Sequence, residues 1–129
     1  MNTWFRRFAR KERLGSAALC EAVARADRGL IDADLGGGVI KQRVARPGAG
    51  RSGGYRTLLL FRSGDRAVFA FGFAKSDRGN IDPDDEARLK MAAKVTLGLS
   101  GAELGRLVQA GALVEIVCDG QEEAGPDVS

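Results

Sequence analysis

Residues Tyr55–Phe73, YRTLLLFRSGDRAVFAFGF, decide the fold of this chain. Two apolar runs, Tyr55–Arg62 and Arg66–Phe73, flank Ser63-Gly64-Asp65, a short turn containing glycine, and together they predict a β-hairpin. In the second run Ala67, Phe69, Phe71 and Phe73 recur with period two, so they are expected on one face of a strand. The Thr57–Phe61 run has to be buried. Upstream, Val39–Val44 reads as a third, shorter strand.

Helical patterns stand on both sides of this sheet. Trp4, Phe5 and Phe8, set among Arg6, Arg7, Arg10, Lys11 and Arg13, read as a short strand followed by a helix, or as a helix alone, ending near Gly15. From Ser16 to Arg28 the spacing of Leu19, Ala22, Val23 and Ala26 predicts a helix capped by Ser16 and stopped by Gly29. Asp32-Ala-Asp-Leu-Gly-Gly-Gly38 reads as a turn-rich connector in which Asp32 and Asp34 cap or turn the chain. Asp82 fits an N-cap and Pro83 the first helical position. Asp84, Asp85 and Glu86 then sit at the positive end of a helix running to about Leu97. Ser100 and Glu103 form a capping box for a short helix to Gln109, and Leu113–Val117 is expected as a last strand. The fold class is α+β with an antiparallel sheet. Residues 1–118 are expected as a single domain and residues 119–129 as an acidic, disordered tail.

With 129 residues the chain is long enough for one packed core. Its longest apolar run is far short of the roughly 20 residues that a membrane span needs. The charged N-terminal stretch is no secretory signal, so a cytoplasmic location and no membrane partner are expected. Cys20 and Cys118 lie far apart without histidine or cysteine neighbours, and are expected as reduced, buried thiols rather than a disulfide framework or zinc ligands. The net charge of +3 understates the basic character of the body. The tail holds Asp119, Glu122, Glu123 and Asp127 and no base, which leaves residues 1–118 with 20 bases against 13 acids, a net of +7. Such a body suits an anionic partner.

Gly48-Ala-Gly-Arg-Ser-Gly53 matches G-x-G-x-x-G, but a strand pattern follows it where the dinucleotide fingerprint needs a helix, and the Lys-Ser/Thr of a P-loop is missing. The acids at 82–86 are explained by helix capping and not by a metal. The cations are harder to explain structurally. From Leu35 to Gly64 there is no acid, while Lys41, Arg43, Arg46, Arg51, Arg56 and Arg62 all fall there. Lys41 and Arg43, two apart, share a strand face. Arg56 shares its face with Leu58 and Leu60, an expensive position unless it is paired or faces a ligand. Lys75, two residues past Phe73, is placed to converge on the same spot. Several cations on a glycine-rich scaffold suit phosphate, which rewards charge and the bidentate fork of arginine. A solvated basic surface is the alternative.

These segments carry a resemblance. Asp34-Leu-Gly-Gly-Gly38, Lys41-x-Arg43, Ala45-Arg46-Pro47, Ser52-Gly-Gly-Tyr-Arg56, Gly72-Phe-Ala-Lys75 and Asn80-Ile81 together resemble the HigB-like branch of the RelE-type toxins of bacterial type II toxin–antitoxin systems. The resemblance runs from about Phe5 to Ile116. It implies a RelE-like fold, with N-terminal helices packed on a curved antiparallel sheet and C-terminal helices. It also implies a metal-independent messenger-RNA interferase without cofactor, acting on mRNA at the ribosome and neutralised by a cognate antitoxin, often a helix-turn-helix protein. Matched by motif, Lys41, Arg43, Arg56 and Lys75 take the catalytic positions. Arg56, with Arg43 beside it, would stabilise charge on the scissile phosphate, and Lys41 or Lys75 would move a proton. Arg46, Arg51 and Arg78 would grip the RNA backbone, and Tyr55 either stacks on a base or faces the core. The chain departs from relatives that use a C-terminal tyrosine or histidine as acid or base, since it has no histidine and Tyr55 is its one tyrosine. The alternative reading is a protein of this fold that binds RNA or an antitoxin without cleaving.

Overall fold

A computed structural model describes residues 1–46, 50–74 and 82–118, with the backbone alone at 46 and 50–53. Two helices, α1 (Thr3–Glu12) and α2 (Ser16–Asp27), precede four strands, β1 (Ala33–Gly36), β2 (Val39–Arg46), β3 (Gly50–Arg62) and β4 (Arg66–Ala74). Helices α3 (Pro83–Leu97) and α4 (Gly101–Gln109) follow. The strands form one antiparallel sheet in the order β1-β2-β3-β4, so β1 and β4 are its edges. The α+β architecture is the one expected, and the acidic segment 119–129 lies outside the described residues.

The sheet carries apolar side chains on both faces, because helices cover both. On one face α1 and α2 bury Phe5, Ala9, Leu19, Ala22 and Ala26 against Ile40, Val44, Tyr55, Leu59 and Phe69. On the other, α3 contributes Ala93, with Leu89 and Leu97, against Val39, Leu58, Leu60, Val68 and Phe73. The expected aromatic stripe of β4 does not keep to one face. Leu58 pairs with Phe71 but Leu59 pairs with Phe69, so Ala70 is an extra residue, a β-bulge. The bulge switches the face: Phe69 lies in the α1–α2 layer, whereas Phe71 and Phe73 lie in the α3 layer. Asn2 secures the bulge, donating from its backbone N–H to Phe69 O (3.0 Å) and from Nδ2 to Ala70 O (3.0 Å). Its Oδ1 accepts the Phe5 N–H (2.8 Å), which caps α1. Past the bulge, Gly72 lets α1 approach the strand, since a Cβ there would stand 2.7 Å from Phe8 Cε2.

Other expectations need correction. The N-cap of α2 is Gly15, which leaves Ser16 as the first helical residue without a side-chain cap. The connector contains β1, whose edge position and glycines hide the strand pattern; Gly36, Gly37 and Gly38, all with positive φ, make its turn into β2. Asp82 and Ser100 cap α3 and α4 as expected, the latter in a full capping box. Arg66 donates from Nη1 to Thr96 O (3.0 Å) and Leu99 O (2.7 Å), and Arg62 donates to Leu97 O. The hairpin arginines thus sit on the negative end of α3. Leu113–Val117 is not a strand. Only Leu113 bridges to Asn2, while Met1 and Val114 exchange hydrogen bonds. The cysteines are not free thiols: Cys20 of α2 and Cys118 form a disulfide across a sequence separation of 98, with Cα atoms 5.8 Å apart. Distance along the chain concealed their proximity, because the C-terminal segment returns over α2.

Candidate nucleic-acid interface

Antiparallel pairing brings the sequence-distant cations into one row. Arg43 on β2 is the direct partner of Arg56 on β3, and Arg56 is the partner of Phe73 on β4. Directly opposed residues point to the same face, with Cβ atoms about 5 Å apart. This is the α3 face, but the row lies beyond Leu58 and Leu60 on β3, the core side chains that α3 covers. Arg43 is exposed and Arg56 half-buried. Neither is in an ion pair among the described residues. Two like charges held face to face cost on the order of 0.5 kcal/mol, and an anion bound between them removes that cost. Lys41 shares their face as the partner of Leu58, but is only 8% exposed and has its own interactions.

The row is held from beneath by residues that the sequence reading did not single out for this role. Asp32 accepts the Arg43 backbone N–H at 2.6 Å, and Arg25 of α2 donates to Arg43 O. Arg25 is buried, bonded to Glu21 at 2.8 Å and 3.9 Å from Asp32. Between Lys41 and Arg43 on β2, Gln42 points the other way and is fully buried. Its Nε2 donates to Ala22 O (2.9 Å) and Leu30 O (3.1 Å), and its Oε1 accepts the Asp32 N–H (2.9 Å). Thr57 closes the strand pair by donating to Gln42 O (2.8 Å). Strand alternation alone would have put Gln42 on the core face, where an amide needs partners.

Tyr55 belongs to the opposite face, which corrects its candidacy for RNA contact. It is 3% exposed, packs edge-on against Phe8, and donates its hydroxyl to Glu12 at 2.6 Å. An odd spacing from Arg56 forces this, since neighbours along a strand face opposite ways. The structure therefore brings together Lys41, Arg43 and Arg56 and separates Tyr55 from them. Lys75 and Arg78, and the side chains of Arg46 and Arg51, lie outside the described residues. Two cavities, of about 300 and 540 Å³, lie elsewhere, the first against α2 and the 62–67 turn, the second between β4, α4 and the C-terminal segment. Neither cavity is lined by the basic row, in which Arg43 is exposed and Arg56 half-buried.

No described helix is long and apolar enough to cross a membrane. No curated protein matches the chain, and no solved structure matches it. One family model does, over residues 1–116, that of the RelE toxin of the RelE/RelB toxin–antitoxin system. That span takes in both helical layers, the whole sheet and the arginine row, and the chain belongs to the RelE toxin family.

Proposed function

We propose that the chain is an endoribonuclease that cuts messenger RNA, on the ribosome, and that a cognate antitoxin restrains it. The observation that carries this reading is the Arg43–Arg56 rung, two opposed guanidiniums that no acid pairs among the described residues. Family membership supports both the toxin role and the antitoxin partner. In the reaction, the ribose 2′-oxygen attacks the adjacent phosphorus, the bond from phosphorus to the 5′-oxygen breaks, and that oxygen leaves with a proton. Negative charge accumulates on the phosphoryl oxygens in between. Arg56 takes the stabilising position and Arg43 stands beside it, each forking two N–H groups toward those oxygens. Lys41 or Lys75 moves the proton, and Arg46, Arg51 and Arg78 grip the backbone on either side.

A test uses induced expression together with purified ribosomes and mRNA. Wild type is expected to arrest growth and cut mRNA, and Arg56→Gln to lower cutting by 100-fold or more with an unchanged melting temperature. Cutting that persists in the Arg43→Gln/Arg56→Gln double variant sinks the assignment. A second reading, an RNA- or antitoxin-binding protein without cleavage, is favoured by one observation. The single tyrosine is buried away from the rung and there is no histidine. RNA association without any cut by wild type would establish it.

A further inference from the structure

Helix α1 carries a second cationic surface that the rung does not use. Arg6, Arg7, Arg10, Lys11 and Arg13 are all exposed, and none is in an ion pair among the described residues. At 3.6 residues per turn Arg6, Arg7, Arg10 and Lys11 fill the outward arc of the helix, and Arg13 follows as its C-cap. The sole acid, Glu12, is turned inward to Tyr55. Arg10 and Lys11 in the last turn suit the helix dipole, but Arg6 and Arg7 stand near its positive end, and the first turn has no acid. Helix stability therefore gives no reason for them, and a surface built for solubility would mix signs.

Trp4 stands at the rim of this arc beside Arg7 and Lys11, 39% exposed. Its ring stacks on Phe71 (centroids 4.6 Å apart) and on Phe8 (5.6 Å). The bulge at Ala70 is what turns Phe71 toward the α3 face, and Phe71 lies 6.1 Å from Phe73, the cross-strand partner of Arg56. An aromatic path thus runs from the arginine rung over the β4 edge to α1, on the order of 20 Å at ordinary strand spacing. Cations at both ends of such a path, with a partly exposed indole stacked on two rings, are the elements that bind single-stranded nucleic acid: charge tracks the backbone, and a ring face accepts a base.

We propose that Trp4 and the outer face of α1 form a second contact surface for single-stranded RNA, continuous with the Arg43–Arg56 rung. This rests on the reading of that rung as an RNA site, and names where the strand goes beyond it. Trp4 is the only tryptophan of the chain, so its fluorescence reports the contact directly.

The full chain is titrated with a fluorescein-labelled 12-nucleotide single-stranded RNA across a salt series, following label anisotropy and, with unlabelled RNA, Trp4 emission. RNA is expected to quench Trp4. Arg7→Gln/Lys11→Gln is expected to lower the log–log salt slope by about 1.4, at roughly 0.7 per phosphate contact. Trp4→Leu is expected to weaken binding roughly 5- to 100-fold without changing the slope. Should Trp4→Leu fold poorly, the wild-type quench and the Arg7/Lys11 pair still decide. If RNA binds and is cut while Trp4 emission and the salt slope of Arg7→Gln/Lys11→Gln stay unchanged, this surface is refuted and the proposed function stands. If Trp4 is quenched in wild type and in Arg43→Gln/Arg56→Gln but no variant affects cutting, the rung assignment fails and this surface survives. Quenching by poly-glutamate equal to that by RNA, or no RNA binding at all, overturns the inference.

Discussion

Removing the Cys20–Cys118 bridge is expected to cost a large share of the chain's stability. The disulfide closes a loop across 98 positions, one of the longest that 129 residues allow. Under the chain-entropy account such a loop restrains the unfolded ensemble by about 4.7 kcal/mol, against the 2–4 kcal/mol typical of native bridges. With an unfolding entropy of about 2.1 cal/mol/K per residue, 2–4.7 kcal/mol corresponds to a fall of roughly 7–17 °C in melting temperature. The effect should begin at the C-terminal segment. Apart from the bridge, that segment is held by the Met1–Val114 hydrogen bonds, the Asn2–Leu113 bridge and the packing of Ile116. Thermal unfolding followed by circular dichroism should be compared for oxidised wild type, wild type in dithiothreitol, and Cys20→Ser/Cys118→Ser. The last two are expected to coincide, well below the first. A difference under about 3 °C, or two alkylatable thiols in air-oxidised protein, would refute the reasoning.

Gln42→Leu is nearly isosteric but strands the Asp32 N–H and the carbonyls of Ala22 and Leu30, so a loss of about 2–4 kcal/mol is expected in urea unfolding. Gly72→Ala would drive a methyl against Phe8 and Phe5, with contacts of 2.7 and 3.2 Å, and should cost about 1–3 kcal/mol by the same assay. For a chain with a free amine at Met1, burial lowers that amine from 8.0 to about 6. Between pH 6 and 8 the unfolded chain holds a proton that the folded chain has lost, so stability should rise with pH through that window. Two units correspond to about 2.7 kcal/mol, discounted to about 1 kcal/mol because water still reaches the amine. No histidine titrates there and the cysteines are bridged, so acetylating the amine should flatten the profile; a rise that survives acetylation contradicts the assignment.

Most of the fold was legible because it follows local rules. Asp82-Pro83 and Ser100-x-x-Glu103 announce helix starts through capping chemistry, which a few neighbouring residues complete among themselves. The turn at Ser63-Gly64-Asp65 joins adjacent strands in the same way. The failures are non-local. Whether Leu113–Val117 pairs as a strand depends on what the β4 edge offers, and Asn2 occupies the bulge there. The disulfide depends on where the chain returns after a 98-residue excursion. At the candidate site, period two put Lys41 and Arg43 on one face of their strand and Arg56 on the face of Leu58 and Leu60 in the next. That the two arginines are direct partners follows from register, which no single strand encodes. On sequence alone Tyr55 stays between a base and the core, although alternation sets it on the face opposite Arg56 and the apolar company of Leu59 and Phe69 there could have decided its place in the core.

The single extra residue in β4 gives this strand a phase. Upstream of Ala70 the odd-numbered side chains belong to one layer, and downstream they belong to the other. Taking Ala70 into the ladder as an ordinary paired residue, or inserting one residue between Phe71 and Phe73, would act like a reading-frame shift in three dimensions, carrying whatever follows to the wrong side of the sheet. Phe73, the rung partner of Arg56, would trade places with a glycine-sized neighbour, and the aromatic road to Trp4 would break at its middle. Related chains that align with a one-residue gap in this strand should therefore be compared by face, not by column. A sequence profile that scores β4 as regular alternation will put the right residues on the wrong surface.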